Sequence, residues 1–393
     1  MLKSTTMFTY EIDSPQKAVQ EIMEQLSSGP PLLKNTVGIV MCDVEFIDTG
    51  VLKAVCQALP FRTVGATTTL QAVNGEAGPL ILTIMVLTSD DISFEPGMTD
   101  SVRGDLAPDA TRRAYEATQK QHGSSEPPAM IFMFPPLHCD NSGDEYVTSW
   151  EAVCGKVPLF GMITIEDDIK WERCVTILNG DVSRDRQAFI LVYGEIKPRF
   201  FVGAVQNKRA LPYTGVITKA EGHRLLELND IHTAEYFESI GLAKDGTLDS
   251  GVRFVPFMID FKNRADYDGV SVARVMVYLD EDGAGVCRGS VETGAIFSFG
   301  TCDPEDAMAT AKQITQHIST LTDAQAIFIC SCYVRKVAFG LEPFKEANMI
   351  VDTLPKNIPY MLFYAGGEFC PTTVTNGQAN NYFHNFSFIA CVL

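Results

Sequence analysis

Apolar and polar positions alternate along this chain in an order that recurs three times. Residues 14–27 place Ala18, Val19, Ile22, Met23 and Leu26 on one face at helical spacing. Asp13 or Ser14 suits the N-cap and Pro15 the first turn. Residues 305–318 repeat the stripe with Ala307, Met308, Ala311, Ile314 and Ile318, behind Asp303-Pro304. A more polar copy, 109–121, follows Pro108-Asp109. Each helix leads to an apolar run: VGIVMCD (37–43), MIFMFPP (130–136) and AIFICSC (326–332). Runs this uniformly apolar fit strands buried on both faces.

The three copies continue alike. A second helix precedes a glycine-bearing strand: FRTVGATTT (61–69), PLFGMITIEDD (158–168) or YMLFYAGGEFC (360–370). An Asn-Gly pair follows, at 74–75, 179–180 and 376–377. Both residues tolerate positive φ, which predicts tight hairpins closing each module. A final apolar strand ends each copy: LILTIMVL (80–87), AFILVYG (188–194) and FSFIACVL (386–393). The expected class is therefore α/β, with mixed sheets built from three related βαβ-type modules with Asn-Gly hairpins. Two stretches fall outside the repeat. Residues 206–242 carry an alternating hairpin pattern and a helix, and 252–300 carry short strand-like runs. KDGTLDSG (244–251) reads as a linker, giving two domains, 1–243 and 252–393.

The chain has 393 residues, 46% hydrophobic and 20% charged, so it builds extensive cores. Its net charge of −18 opposes binding to nucleic acid or anionic membranes. No run approaches the ~20 apolar residues of a membrane span, and the N-terminus lacks a secretory apolar core. Eleven cysteines, scattered and mostly in apolar runs, read as free thiols in a reducing cytoplasm.

Several segments resemble the FIST family: VGATTT (64–69), the loop near Asp140–Gly143, and PLFGMITIEDD followed by Asn179-Gly180. YTGVITKAEGHRLLELNDIHTAEYFESIGL (213–242) is similar to that family's N-terminal half. CSCYVRKVAFG (330–340), YAGGEFCP (364–371) and His384-Asn385 are similar to its C-terminal half. The resemblance implies a FIST-N-like domain over 1–243, with two modules and a bridging hairpin, and a FIST-C-like domain over 252–393. It implies a sensory module of bacterial signal transduction rather than an enzyme. The ligand would be a small molecule, amino acids being the usual suggestion. Output would pass through a signalling partner such as a kinase or cyclase. Haem and a response to nitric oxide are the alternative.

Ser331, Arg335, Gly366, Gly367 and Glu368 form the expected ligand site. Arg335 follows a buried strand and can grip a carboxylate through two hydrogen bonds. Glu368 can take an ammonium, and the glycines admit a ligand close to the backbone. The competing reading is an internal Arg335–Glu368 salt bridge. Thr67 and Thr164 occupy equivalent loops, and Lys219 can reach an anion between the halves; ordinary strand and surface roles compete for all three.

The six histidines, His122, His138, His223, His232, His317 and His384, show no zinc spacing. A haem needs one axial histidine, and His384 between Phe383 and Phe386 is the candidate. No metal and no resident cofactor are otherwise expected. Cys332 and Glu368 are the candidates were the protein an enzyme. Gly283-Ala-Gly285-Val-Cys-Arg-Gly289 lacks the following helix of a nucleotide loop.

Overall fold

The computed structural model describes residues 1–123, 125–137, 140–168, 170–204, 211–261 and 272–393. His138 lies outside them. Module 1 runs β1 (Lys3–Thr9), α1 (Pro15–Ser28), β2 (Asn35–Cys42), α2 (Glu45–Asp48), α3 (Val51–Ala58), β3 (Arg62–Thr67), β4 (Gln71–Val73), β5 (Glu76–Gly78) and β6 (Leu82–Ser89). Module 2 runs β7 (Ser93–Ser101), α4 (Ala107–His122), β8 (Met130–Phe134), α5 (Gly143–Cys154), β9 (Leu159–Met162), β10 (Thr176–Leu178), β11 (Asp181–Ser183) and β12 (Arg186–Tyr193). Module 3 opens with β13 (Arg199–Gly203). After an insertion holding β14–β23 and α6 it resumes with α7 (Pro304–Ser319), β24 (Ile327–Cys332), α8 (Tyr333–Ala338) and α9 (Lys345–Thr353). It ends with β25 (Tyr360–Ala365), β26 (Glu368–Thr375), β27 (Gln378–His384) and β28 (Phe388–Val392).

The helix starts follow from local chemistry. Ser14 accepts the Lys17 amide, and Asp303 accepts those of Glu305 and Asp306, each with a proline behind it. Ser142 and Glu145 form a reciprocal capping box at α5.

The sheet of each module has six strands in one arrangement. The parallel pairs β2–β3, β8–β9 and β24–β25 lie at the centre. The last strand of the module runs antiparallel beside them, and its first strand forms an edge. The opposite edge comes from elsewhere. The hairpin β4–β5 of module 1 pairs with β25 of module 3. Hairpin β10–β11 of module 2 pairs with β3 of module 1, and β26–β27 of module 3 pairs with β9 of module 2. Asn74, Asn179 and Asn376 turn these hairpins at φ of 45, 53 and 52°, each followed by a glycine in the left-handed region. The hairpins therefore do not close their own modules. They exchange cyclically, so that every sheet is completed by a neighbour. Turn chemistry fixes that a hairpin forms, and says nothing of the edge it joins.

The insertion is an antiparallel β unit, residues 214–299, with α6 (Thr233–Ser239) packed on a core that includes Ile217, Phe237, Phe257 and Phe297. The segment 244–251 sits inside this unit. Ala243 and Lys244 pair with Leu248 and Thr247 across a turn at Asp245 and Gly246, and Ala243 and Val252 share one core. Asp-Gly composition suits a hairpin turn as well as a linker. Among the described residues no helix is long and apolar enough to cross a membrane.

Two glycines set how closely the central strands approach. A Cβ at Gly65 would lie 1.7 Å from the Val40 carbonyl oxygen, and one at Gly161 1.8 Å from that of Met133. Gly65→Ala and Gly161→Ala are each expected to cost about 3 kcal/mol or more in urea unfolding. Unchanged midpoints would show that these strand pairs can open.

Candidate functional site

The three chain crossings that carry the hairpins between sheets meet one another. Thr67 O accepts the Ile165 amide (3.2 Å), and the Gly366 amide donates to Ile163 O (3.0 Å). The Ile163 amide donates to Gly367 O (2.9 Å). Thr67 Oγ1 and the Val175 backbone bond in both directions, and Thr164 Oγ1 accepts the Leu137 amide at 3.0 Å. Thr67 and Thr164 are fully buried. Their hydroxyls satisfy backbone groups that a buried crossing would otherwise strand. A Cβ on Gly367 would enter the Phe383 ring at 2.4 Å, and one on Gly366 would reach Thr164 O at 3.0 Å.

Ser331 and Arg335 are brought together, around a different acid from the one expected. Arg335 bonds Glu346 Oε1 through Nη2 (2.5 Å) and Nε (3.2 Å), and donates to Ala307 O at 2.7 Å. Ser331 Oγ donates to Glu346 Oε2 at 2.5 Å, and Tyr364 donates to the same oxygen at 3.2 Å. The Arg335 and Glu346 side chains are 1% and 0% exposed. Burial pulls the Arg335 pKa down, but Glu346 beside it more than offsets this and raises it. The internal-pair reading thus has Glu346, on α9, as the partner in place of Glu368. Glu346 shares the buried stripe of α9 with Ala347 and Ile350, and that stripe faces α7 and the end of β24.

Glu368 is also fully buried. Its Oε2 accepts the Ser387 hydroxyl (2.6 Å) and amide (3.3 Å), while Oε1 has no partner. Burial pushes its pKa to about 8. Asp43, at the end of β2, is likewise raised to about 8 by burial. Lys219 is exposed on β14 (Thr214–Glu221), opposite Glu227. His384 is 4% exposed and directs Nε2 at Cys370 O, 3.0 Å away. That bond occupies one ring nitrogen, so His384 would have only Nδ1 to offer an iron. Among the described residues no group of three His, Cys, Asp or Glu could hold a metal ion. Burial raises the Cys330 and Cys332 thiols well above their ordinary range, which makes them poor nucleophiles.

Where the crossings face the insertion they enclose a small cavity of about 30 Å³, room for roughly one or two waters. Leu137, Ile165, Trp171, Cys332, Tyr333, Ala365 and Gly366 line it from the modules. Arg253, Phe254, Val275 and Arg288 line it from the insertion. Arg288 donates to Leu137 O (3.2 Å) and Arg253 to Val277 O (3.2 Å). The Arg253 guanidinium lies 5.5 Å from the Trp171 ring centroid, and Trp171 meets Tyr333 edge to face at 6.1 Å. No carboxylate among the described residues pairs with either arginine. Burial lowers the Arg288 pKa, and the charge of Arg253 acts in the same direction. Larger grooves, 740 Å³ between β1 and α1 and 720 Å³ between α7 and α9, are open troughs on the surface.

Gly366 is thus the expected residue that lines the cavity, and Thr67, Thr164, Gly367 and Glu368 belong to the layer behind it. Arg253, Arg288, Trp171 and Tyr333 escaped notice. Arg288 lies in the glycine-rich run set aside for want of a phosphate-binding helix. The usable signal was an arginine flanked by buried strand residues with no acid at pairing distance in sequence.

A FIST N domain model matches residues 36–231 and a FIST C domain model matches residues 233–371. No curated protein matches the chain. The solved structure of PurLQS from Thermotoga maritima aligns with 11% identity over 100% of this chain and 72% of that one. Its TM-score of 0.20 carries no argument about fold or function.

Two stability predictions follow from the buried acids. Glu346→Ala leaves a buried guanidinium unpaired and is expected to cost about 3–5 kcal/mol in urea unfolding. Arg335→Met with Glu346→Leu should recover part of that loss; no loss in the single variant would mean that the pair is hydrated. Glu368 and Asp43 hold protons in the folded state that the unfolded chain releases near pH 4–4.5. Their contribution is complete below that range and is lost as pH rises through about 8. Each should tilt stability downward by about 1.4 kcal/mol per pH unit across that window. Glu368→Gln should remove about half of the combined slope; an unchanged slope would place an ionised carboxylate in the core.

Proposed function

The chain belongs to the FIST family, whose domains are generally sensory domains of signal transduction, and from that premise we propose that it senses a small carboxylate held between Arg253 and Arg288. The observation that carries this reading is the pair of guanidiniums at a partly enclosed cavity that no acid among the described residues lines. A buried arginine used for structure is normally paired, as Arg274 is with Asp144 (2.9 Å) and Arg335 with Glu346. An unpaired one is a standing desolvation cost that an incoming carboxylate relieves through charge-assisted hydrogen bonds.

The same cavity offers a route for output. Tyr333 and Val334 line it at the start of α8, and the segment just beyond exposes Val337, Leu341 and Phe344. A ligand that shifts the first turn of α8 alters that surface, which a signalling partner can read. The acidic net charge and the ten described cysteines, all free thiols, support a location in the cytoplasm away from nucleic acid.

Thermal unfolding with a panel of small carboxylates tests the reading. A ligand at a hundred times its Kd adds about 2.7 kcal/mol, a rise of several degrees. Arg288→Met should abolish the rise and leave the ligand-free Tm unchanged or higher, because a buried unpaired charge is removed. A lower ligand-free Tm with the ligand response intact would make Arg288 a structural residue.

A further inference from the structure

The surroundings of the two arginines narrow the ligand, on the reading that this cavity binds a carboxylate. Apart from the guanidiniums its walls are mainly apolar, with Leu137, Ile165, Trp171, Phe254, Val275 and Val334 the chief contributors. No aspartate or glutamate among the described residues lines it. We propose that the ligand is a carboxylate with an apolar body and no ammonium group, and that the site rejects α-amino acid zwitterions.

An amino acid bound by its carboxylate would bring its ammonium into the same enclosed space as two guanidiniums. That group needs an acceptor or a counter-charge to replace its water. Among the described residues the nearby acids stand outside the lining, each with at least one bond of its own or a proton. Glu368 stands behind Cys332 and, with its pKa at about 8, is mostly neutral near pH 7. Asp167 is held by Lys336 and by the Thr69 hydroxyl. Asp168 is exposed and accepts the Lys170 amide at 3.0 Å. Glu166 spends Oε1 on the Arg173 amide at 2.6 Å. Of the backbone acceptors, Leu137 O already receives Arg288. A hydrocarbon body meets no such obstacle and gains from leaving water.

The cavity has room for a carboxylate group, so a larger body must displace a wall. Trp171 is the wall least secured. Its φ of 52° lies in the left-handed region, uncommon for a bulky residue, and its indole Nε1 is buried without an acceptor. Binding should therefore move Trp171, while the other tryptophan, Trp150, stays fixed in the core of module 2.

Matched pairs that differ only in the amine test the proposal on the full chain: 3-phenylpropanoate against phenylalanine, and 4-methylpentanoate against leucine. Calorimetric titration near pH 7, with tryptophan fluorescence in parallel, gives the readout. The expected result is binding of the amine-free member at least about tenfold tighter. Trp171→Phe should remove the fluorescence change and retain the heat, and Arg288→Gln should remove both. Equal or tighter binding of the amino acid overturns the amine-free ligand and leaves the anion site standing. Failure of both members, or binding that survives both Arg253→Gln and Arg288→Gln, overturns the anion site itself. Circular dichroism of each variant separates lost binding from lost folding.

Discussion

Everything in this molecule depends on where three hairpins go. Each leaves the sheet of its own module and completes the sheet of a neighbour, module 1 to 3, 2 to 1 and 3 to 2. No module can then present a finished sheet alone, and the three crossings must pass through the interior together. A buried crossing carries backbone donors and acceptors that no water can reach. Here they satisfy one another, Thr67 with Ile165 and Val175, Thr164 with Pro135, and Gly366 and Gly367 with Ile163. The threonine hydroxyls supply what the backbone leaves over. That is why small and hydroxyl-bearing residues recur at these positions, and why their first duty is to the protein.

The insertion converts this structural knot into a candidate binding place. Arg274, fully buried on β20 (Val272–Arg274), reaches Asp144 on α5 and the Phe383 carbonyl on β27. Asp144 also accepts the Ser290 amide, and the Gly143 amide donates to Arg288 O. These bonds seat the insertion over the crossings in one register. Arg288 and Arg253 come with it and are left facing the cavity. The chain thus holds two kinds of interior arginine, the fully buried Arg274 and Arg335 and the half-buried Arg253 and Arg288. Arg274 and Arg335 are saturated by acids and carbonyls and act as ties. Arg253 and Arg288 each keep a single carbonyl bond, and each feels the charge of the other. Removing either tie costs folding energy, whereas the half-buried pair stands without an acid partner among the described residues.

Much of this order could be read along the sequence, and the limits have physical causes. The caps at Ser14 and Asp303, the apolar central strands and the positive-φ turns are local, and local chemistry decides them. The destination of a hairpin is not local: Asn376-Gly377 turns the same way whichever edge receives it. KDGTLDSG misleads for the same reason, because Asp245 and Gly246 suit a turn inside a unit and a joint between units alike. Arg335 was visible as a buried cation at a strand end, but its acid stood on a helix, where Glu346 hides among apolar neighbours of the stripe. The cavity was the least legible feature. Its walls come from modules 2 and 3 and the insertion, and Arg253 and Arg288 become a pair through packing across the molecule.

The two-part division of the family and the three-part division of the structure describe different things. The family models meet between residues 231 and 233, inside the inserted β unit, whereas the folding repeat is threefold. A threefold body built by exchange is rigid, since moving one sheet disturbs a hairpin in the next. A sensor needs an element that can take two positions without breaking that body. On the proposed reading, side chains at the two ends of α8 supply it. Its first residue, Tyr333, touches the cavity, and Lys336 one turn later clasps Thr69 of module 1 and Asp167 of module 2. Arg335, between these two residues, ties the helix to Glu346, so a movement that keeps this pair is confined to the Tyr333 and Lys336 side chains and leaves the exchanged hairpins intact. On the proposed reading, charge neutralisation at Arg253 and Arg288 would act on Trp171 and Tyr333 first, and the next link would be the Lys336 clasp that joins all three modules.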